Sequence, residues 1–426
     1  MTLYARQAAP PGAVLSDDAL TAVLGDGLRG RFTGARVLVL IPDHTRTIPL
    51  PLAFRAVCAA LHDAASLDFM VALGTHPPLS EAALCALVGL SPTERAGEYA
   101  HVGLLNHAWD SPAALATLGT LPRETIAALA GSRWHPSLGG DVPVRINRAA
   151  VEADHVLIVG PVFPHEVVGF SGGTKYLFPG ISGPELIHVT HWLGALITVL
   201  DTIGVAETPM RAVIDAAAAL LATPVTLAAL VVTAAGSAGA FIGPVHEAWA
   251  AAAALSAERH IVWTERTYTQ VLSCAPPMYD ELWTAAKAMY KLEPAVADGG
   301  ELIVYAPHLD TVSHVHGAAI AEAGYHVRDY FLKQWDRFGH LPLGVLAHGT
   351  HLRGSGTYDD PPGSGERARI RVTLASRIDP ETCAALGLGY RDPGSISPAA
   401  WRGREREGVL VVEKAGEMLY RPRRRA

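Results

Sequence analysis

The sequence predicts two α/β domains with mostly parallel sheets and a cleft between them. Three observations lead there. Short β-rich apolar runs recur along the chain, and each ends in polar residues. Ala/Leu-rich stretches of helical character separate those runs, and strands alternating with helices imply parallel layers. The chain has 426 residues, half of them hydrophobic, which is enough for two or three domains with sizeable cores.

The first run is RVLVLIPDHTR (36–46), followed by the helical stretch LAFRAVCAALHDAA (52–65). DFMVALGTH (68–76) leads into EAALCALVG (81–89), and HVLIVGPVFPH (155–165) follows. Residues 216–245 carry no charge and could imitate a membrane span. Pro224 and the glycines at 236, 239 and 243 interrupt them, and LAALVV (227–232) is bounded like a buried strand. Helix, turn, strand is the expectation there. PVHEAWAAAAALSAERH (244–260) reads as a helix leading out of a first domain, 1–265. A second, 270–405, holds ELIVYAP (301–307) and a Gly/Pro-rich loop near 353–365. VLVVEK (409–414) lies in a terminal segment, 406–426, of strand and basic tail that could return to the first domain. Ligands of parallel sheets sit beyond the strands' carboxyl ends, where Asp43–Arg46, His76 and His165 all fall.

A net charge of −7 and a pI near 6.2 argue against nucleic-acid binding, and RPRRRA (421–426) reads as a solvated tail. An anionic substrate would need a local Arg or Lys. The four cysteines, 58, 85, 274 and 383, form no CxxC pair, as expected of a reducing, cytoplasmic setting without a zinc knuckle. The N-terminus lacks the pattern of a signal peptide, and no membrane association is expected.

The chemistry concentrates in HEVVGFSGGTKYLFPGISGPELIHVTH (165–191). A Walker A loop would need a second glycine where Thr174 stands and a hydroxyl where Tyr176 stands; Pro179 would break the helix after it. Gly169-Phe170-Ser171-Gly172-Gly173 satisfies the GxSxG pattern of hydrolases, but a loop follows Ser171 where that elbow needs a helix. HEVVG has Gly169 where a zinc protease has its second histidine. His188 and His191 are spaced to share a helix face.

Taken together, these elements resemble the lactate racemase family, whose enzymes use a nickel-pincer nucleotide, a pyridinium mononucleotide with two thio-acyl arms that hold nickel. His165, GFSGG (169–173), Lys175 and PGISG (179–183) match the family's central stretch in order and spacing, and His191 follows. Its DxTR signature stands as Asp43-His44-Thr45-Arg46 and its GTH as Gly74-Thr75-His76. The resemblance runs from about residue 36 to 305 and is specific in its central block.

The resemblance implies a racemase or epimerase of a small 2-hydroxy acid, with the cofactor in the cleft. Lys175 would be its covalent anchor and His191 the protein ligand to nickel, a metal that imidazole suits. His76 and His165 would be the acid/base pair, a role suited to a side chain that titrates near neutrality. Arg46 would take a carboxylate or the cofactor phosphate, while Asp43 and Thr45 would hydrogen-bond the nucleotide. The family's QxxK, which reaches the substrate carboxylate, corresponds to Thr284 and Lys287 in LWTAAKAMYK (282–291). The shorter Thr284 puts lactate itself in doubt. Trp335 could line the same cleft or sit in the core. A serine hydrolase using Ser171 and a nickel or nucleotide carrier without turnover remain as alternatives; a carrier would tolerate loss of His76. Nothing in the sequence sets an oligomeric state.

Overall fold

The computed structural model describes residues 2–359 and 365–423, so part of the 353–365 loop and the end of the basic tail lie outside it. A seven-stranded sheet runs Ala5–Ala8, Gly236–Pro244, Val225–Thr233, His155–Pro161, Arg36–Ile41, Ser66–Val71, Gly103–Asn106 from edge to edge. The last five are parallel, and the first two join them antiparallel. Central parallel strands are covered on both faces, which is why RVLVLI and HVLIVGP are continuously apolar rather than alternating. Leu38, Leu40 and Ile158 enter one core, whereas Val37, Val39, Leu157 and Val159 enter the core on the opposite face.

The five-stranded second sheet is wholly parallel, in the order Gly389–Tyr390, Arg371–Ser376, Val296–Ala306, Tyr268–Cys274, Val409–Val412. The VLVVEK run thus contributes to this sheet. After it, Leu419–Pro422 pairs with Ile261–Thr264, just beyond the helix Val245–His260. Among the described residues no helix is long and apolar enough to cross a membrane.

The uncharged segment 216–245 holds one strand more than expected. It completes the helix Pro209–Ala218 and forms the hairpin Val225–Thr233/Gly236–Pro244. The glycines there serve close packing: a Cβ on Gly239 would lie 2.6 Å from the Leu255 side chain, and one on Gly243 3.1 Å from Leu3.

From Arg36–Ile41 the chain builds outward through Ser66–Val71 to Gly103–Asn106, then returns to the other side of its starting strand as His155–Pro161. The loops after residues 41 and 161 therefore diverge at the carboxyl edge, opening a crevice there. Two short helices, Leu282–Ala285 and Lys287–Tyr290, close over it after the strand Tyr268–Cys274, and helix Leu343–Arg353 packs on helix Pro184–Ile197.

Candidate functional site

A cavity of about 190 Å³ occupies this crevice. Asp43, Arg46, His76, His165, Lys175, His191, Thr284 and Lys287 all line it. Thr45 does not; it sits behind Asp43, beside a smaller adjoining void. Trp335 is also elsewhere, stacked on Trp192 at 5.6 Å between ring centres.

The Gly-rich loop starts as a two-residue ladder, Pro164–His165 against Gly169–Phe170, and then turns sharply through Gly172 (φ 78°) and Gly173 (φ 62°). A Cβ on Gly173 would stand 3.0 Å from the Trp249 ring. Trp249 in turn donates its indole N–H to the Ser171 carbonyl at 2.9 Å, and Arg211 donates to the carbonyls of Phe170 and Gly172. The Ser171 hydroxyl accepts the Phe163 N–H at 2.9 Å and donates to the Pro161 carbonyl at 3.4 Å. It is thereby committed to holding the loop, and only a short 3₁₀ turn, Gly173–Tyr176, follows. A nucleophile elbow is not formed.

That turn delivers Lys175 to the cavity. Burial, reinforced by the Arg46 charge, lowers its amine to about 8. His191 projects from the helix Pro184–Ile197, with its Nδ1–H donated to the Ile187 carbonyl at 2.6 Å. Its Nε2 lone pair is consequently free, the orientation a metal-binding imidazole needs, and burial lowers the ring to about 4. Among the described residues, no three His, Cys, Asp or Glu side chains converge on a metal point. A metal beside His191 would need its remaining ligands from a bound group.

His76 and His165 are held in opposite tautomers. His76 Nδ1–H donates to Asp43 Oδ2 at 2.5 Å, leaving Nε2 as an acceptor. Burial opposes charge on Asp43, but His76, Arg46 and the Thr45 hydroxyl outweigh it and hold the carboxyl well below the usual range. Thr45 supplies both its N–H (3.0 Å) and its hydroxyl (2.7 Å) to Asp43 Oδ1. The DxTR segment thus builds an orienting device for His76 out of two residues expected at the nucleotide. His165 Nδ1 instead accepts the Val167 N–H at 3.1 Å, so its Nε2 carries the proton. Burial pushes His165 well below its ordinary value, helped by Lys175, Lys291 and Arg46, while Glu166 opposes.

Four cations, Arg46, Lys175, Lys287 and Lys291, lie around the cavity with two buried carboxylates, Asp43 and Glu166. Burial, then Arg46, lowers Lys287 to about 7, and burial lowers Lys291 to about 8. Despite its burial, Glu166 stays ionised, held down by Lys291 and Lys287. Glu417 adds a carboxylate beside Lys291, so the excess of cationic groups is small, but it is local in a chain that is acidic overall and suits anions such as phosphate and carboxylate. Thr284 is not part of that attraction: its hydroxyl donates to the Glu281 carbonyl at 3.1 Å.

Sequence reasoning passed over Glu166, Lys291 and the imidazoles of His316, His348 and His351, which line the cavity together with His188 and Trp283 or, for Lys291, the void beside it. For two of these a signal existed. His348 and His351 repeat the i, i+3 spacing of His188 and His191, on the helix packed against theirs.

Comparison with known proteins agrees with this geometry. The lactate racemase N-terminal domain matches residues 137–199. Lactate racemases of Thermoanaerobacterium thermosaccharolyticum and Lactiplantibacillus plantarum are each 27% identical over 159 residues. That stretch is 36% of this chain and 32% of each relative, so the match spans about a third of the relatives' length. A Thermotoga maritima protein solved by structural genomics superposes with a TM-score of 0.87 at 28% identity, covering 97% of this chain and all of that one. The lactate racemase apoprotein of T. thermosaccharolyticum shares the fold, with a TM-score of 0.71 at 18% identity over 96% of this chain and 94% of its own. The glycine loop, Lys175 and His191 all fall inside the segment that is similar to the lactate racemase N-terminal domain.

Proposed function

We propose that this protein racemises or epimerises a 2-hydroxy acid with a nickel-pincer nucleotide held in the cavity. One observation carries the reading: two imidazoles in opposite tautomers share a cavity with a buried amine and a free imidazole lone pair. The residues suit the group. Lys175, with its lowered proton affinity, is the acylation point; His191 offers Nε2 to nickel; Arg46 offers its planar fork to the phosphate.

Once bound, the cofactor supplies a site that accepts and returns the hydride of C2. The chain's own residues bind the acid and move its hydroxyl proton. Lys287 takes the carboxylate, since an anion there offsets the burial that lowers this amine. His76 Nε2 takes the hydroxyl proton from one enantiomer, and Asp43 stabilises the imidazolium that forms. His165 meets the oxygen on the other side with its Nε2–H, and takes that oxygen's proton only after passing to the Nδ1–H tautomer, in which Glu166, 3.6 Å from Nδ1, replaces the Val167 N–H as partner. The surplus of lysine and arginine charge opposes its protonation, so bound anions raise its proton affinity toward the working range. We further propose that the chain divides near residues 265–270 into the two domains expected, and that its four unpaired cysteines place it in the cytoplasm.

His191→Ala tests the metal assignment. Protein from a host that makes the cofactor should retain roughly 10-fold less nickel or lower, taking the loss of a ligand to be at least as costly as the loss of an outer-shell partner. Its thermal midpoint should stay near that of the wild type, because the ring faces a cavity. Undiminished nickel in this variant, measured by elemental analysis, would remove His191 from the ligand set.

A further inference from the structure

Each inversion carries a proton across the site. On the reading above, His76 gains one while His165 gives one up. Before the next molecule of the same enantiomer can react, His76 must lose its proton and His165 must regain one. The His76 side chain is 27% exposed and exchanges with water directly, whereas that of His165 is only 8% exposed. In that reading the Nε2 of His165 meets the substrate oxygen, so the ring has to be resupplied through Nδ1.

His165 and Glu166 stand between the cavity and a smaller void of about 20 Å³, lining both. Glu166 Oε2 is 3.6 Å from His165 Nδ1. Lys291 lines the void as well, and its ammonium donates to the carbonyl of Pro164, the residue before His165. That bond uses one of three ammonium protons and leaves two for other partners. The space admits one water, and a carboxylate and an ammonium in its wall would hold it. Glu417 and Thr47, hydrogen-bonded to each other and partly exposed, open the void toward the surface. Burial lowers Lys291 to about 8 against Glu166 and Glu417, with Arg46 assisting. An amine at that level releases and recovers a proton near neutrality. Glu166, kept ionised despite its burial by Lys291 and Lys287, is ready to accept an Nδ1–H.

We propose that Glu166 and Lys291 form a proton relay behind His165, exchanging its Nδ1 proton with solvent through this void. The proposal rests on the racemase reading above and concerns how that site is reset. As the Nε2–H bond breaks and an O–H bond forms on the substrate, Nδ1 takes a proton from a water in the void. Lys291 replaces the water's proton and recovers its own from solvent beside Glu417. Glu166 accepts the new Nδ1–H and so holds the tautomer whose Nε2 can act as a base. The opposite enantiomer runs the same transfers backwards. One proton enters here for each that His76 returns to solvent, and none is consumed.

The test uses cofactor-loaded protein with lactate, malate and gluconate as probes. Lys291→Arg keeps the charge and a donor for Pro164 but releases no proton at neutral pH. Its kcat for inversion should fall about 100-fold. Keto acid recovered on quenching a single turnover, from the enantiomer that meets His76, should stay within about 2-fold of wild type. Glu166→Gln, of nearly the same shape, should show the same split. Lys291→Ala, which enlarges the void, should regain about 10-fold in methylamine buffer over a non-titrating salt of equal ionic strength. Unchanged inversion in Lys291→Arg and Glu166→Gln would overturn the relay, and so would equal loss of both steps, the mark of a structural role. If the wild type inverts no probe, the racemase reading fails, and nitrogen NMR still decides the relay. Solvent exchange of the His165 ring N–H should slow at least about 10-fold in Lys291→Arg, with His76 unaffected; unchanged exchange overturns the proposal.

Discussion

Lys175→Ala, produced in a host that makes the cofactor, should carry neither the covalent adduct nor any isomerase activity. Acylation needs the free amine, and the cavity raises its abundance. With a value near 8, roughly a tenth of Lys175 is unprotonated at pH 7, against fewer than about one in a thousand for an ordinary lysine. The backbone brings this amine in on a tight turn at Gly172 and Gly173, where a side chain would strike Val162 or Trp249. Lys175→Arg should fail equally, because a guanidinium keeps the charge and cannot be acylated at neutral pH. Peptide mass spectrometry reads the adduct directly. Wild-type protein that is active and unmodified at Lys175 would reject the anchor.

Asp43→Asn should lower kcat by roughly 10⁴-fold, the scale seen when the carboxylate behind a catalytic imidazole becomes an amide. The amide would present N–H to His76 Nδ1 or lose the bond; either way the tautomer with a free Nε2 lone pair is no longer enforced. KM should change far less, since Asp43 is turned toward His76 and Thr45. Nitrogen NMR of His76 separates this positioning role from a general loss of structure. The variant should show the proton moved from Nδ1 to Nε2 while the other imidazoles keep their signals. A variant with normal kcat and raised KM would instead return Asp43 to the nucleotide.

Much of this was legible in the chain because it is local. RVLVLI and HVLIVGP announce strands covered on both faces, and the 165–191 segment brings a lysine and three histidines to one loop and the helix after it. What was missed depends on distant segments meeting. Asp43 and His76 are 33 positions apart and become partners because their strands are neighbours in the sheet. Lys291 donates to the Pro164 carbonyl from 127 positions away, and no spacing rule reaches that far. Thr284 could be seen to be short, but only the fold shows that its hydroxyl donates to the Glu281 carbonyl and keeps just its lone pairs for other partners. The glycines at 239 and 243 looked like breaks, whereas a strand packed tightly on Leu255 and Leu3 requires them.

The most direct test of the central claim is inversion of a single-enantiomer 2-hydroxy acid by cofactor-loaded protein in deuterium oxide. If hydride leaves C2 and returns while His76 and His165 handle only the hydroxyl proton, the opposite enantiomer should form with its original protium at C2. Product bearing solvent deuterium at C2 would mean that the histidines remove the C2 proton themselves, and would contradict the account.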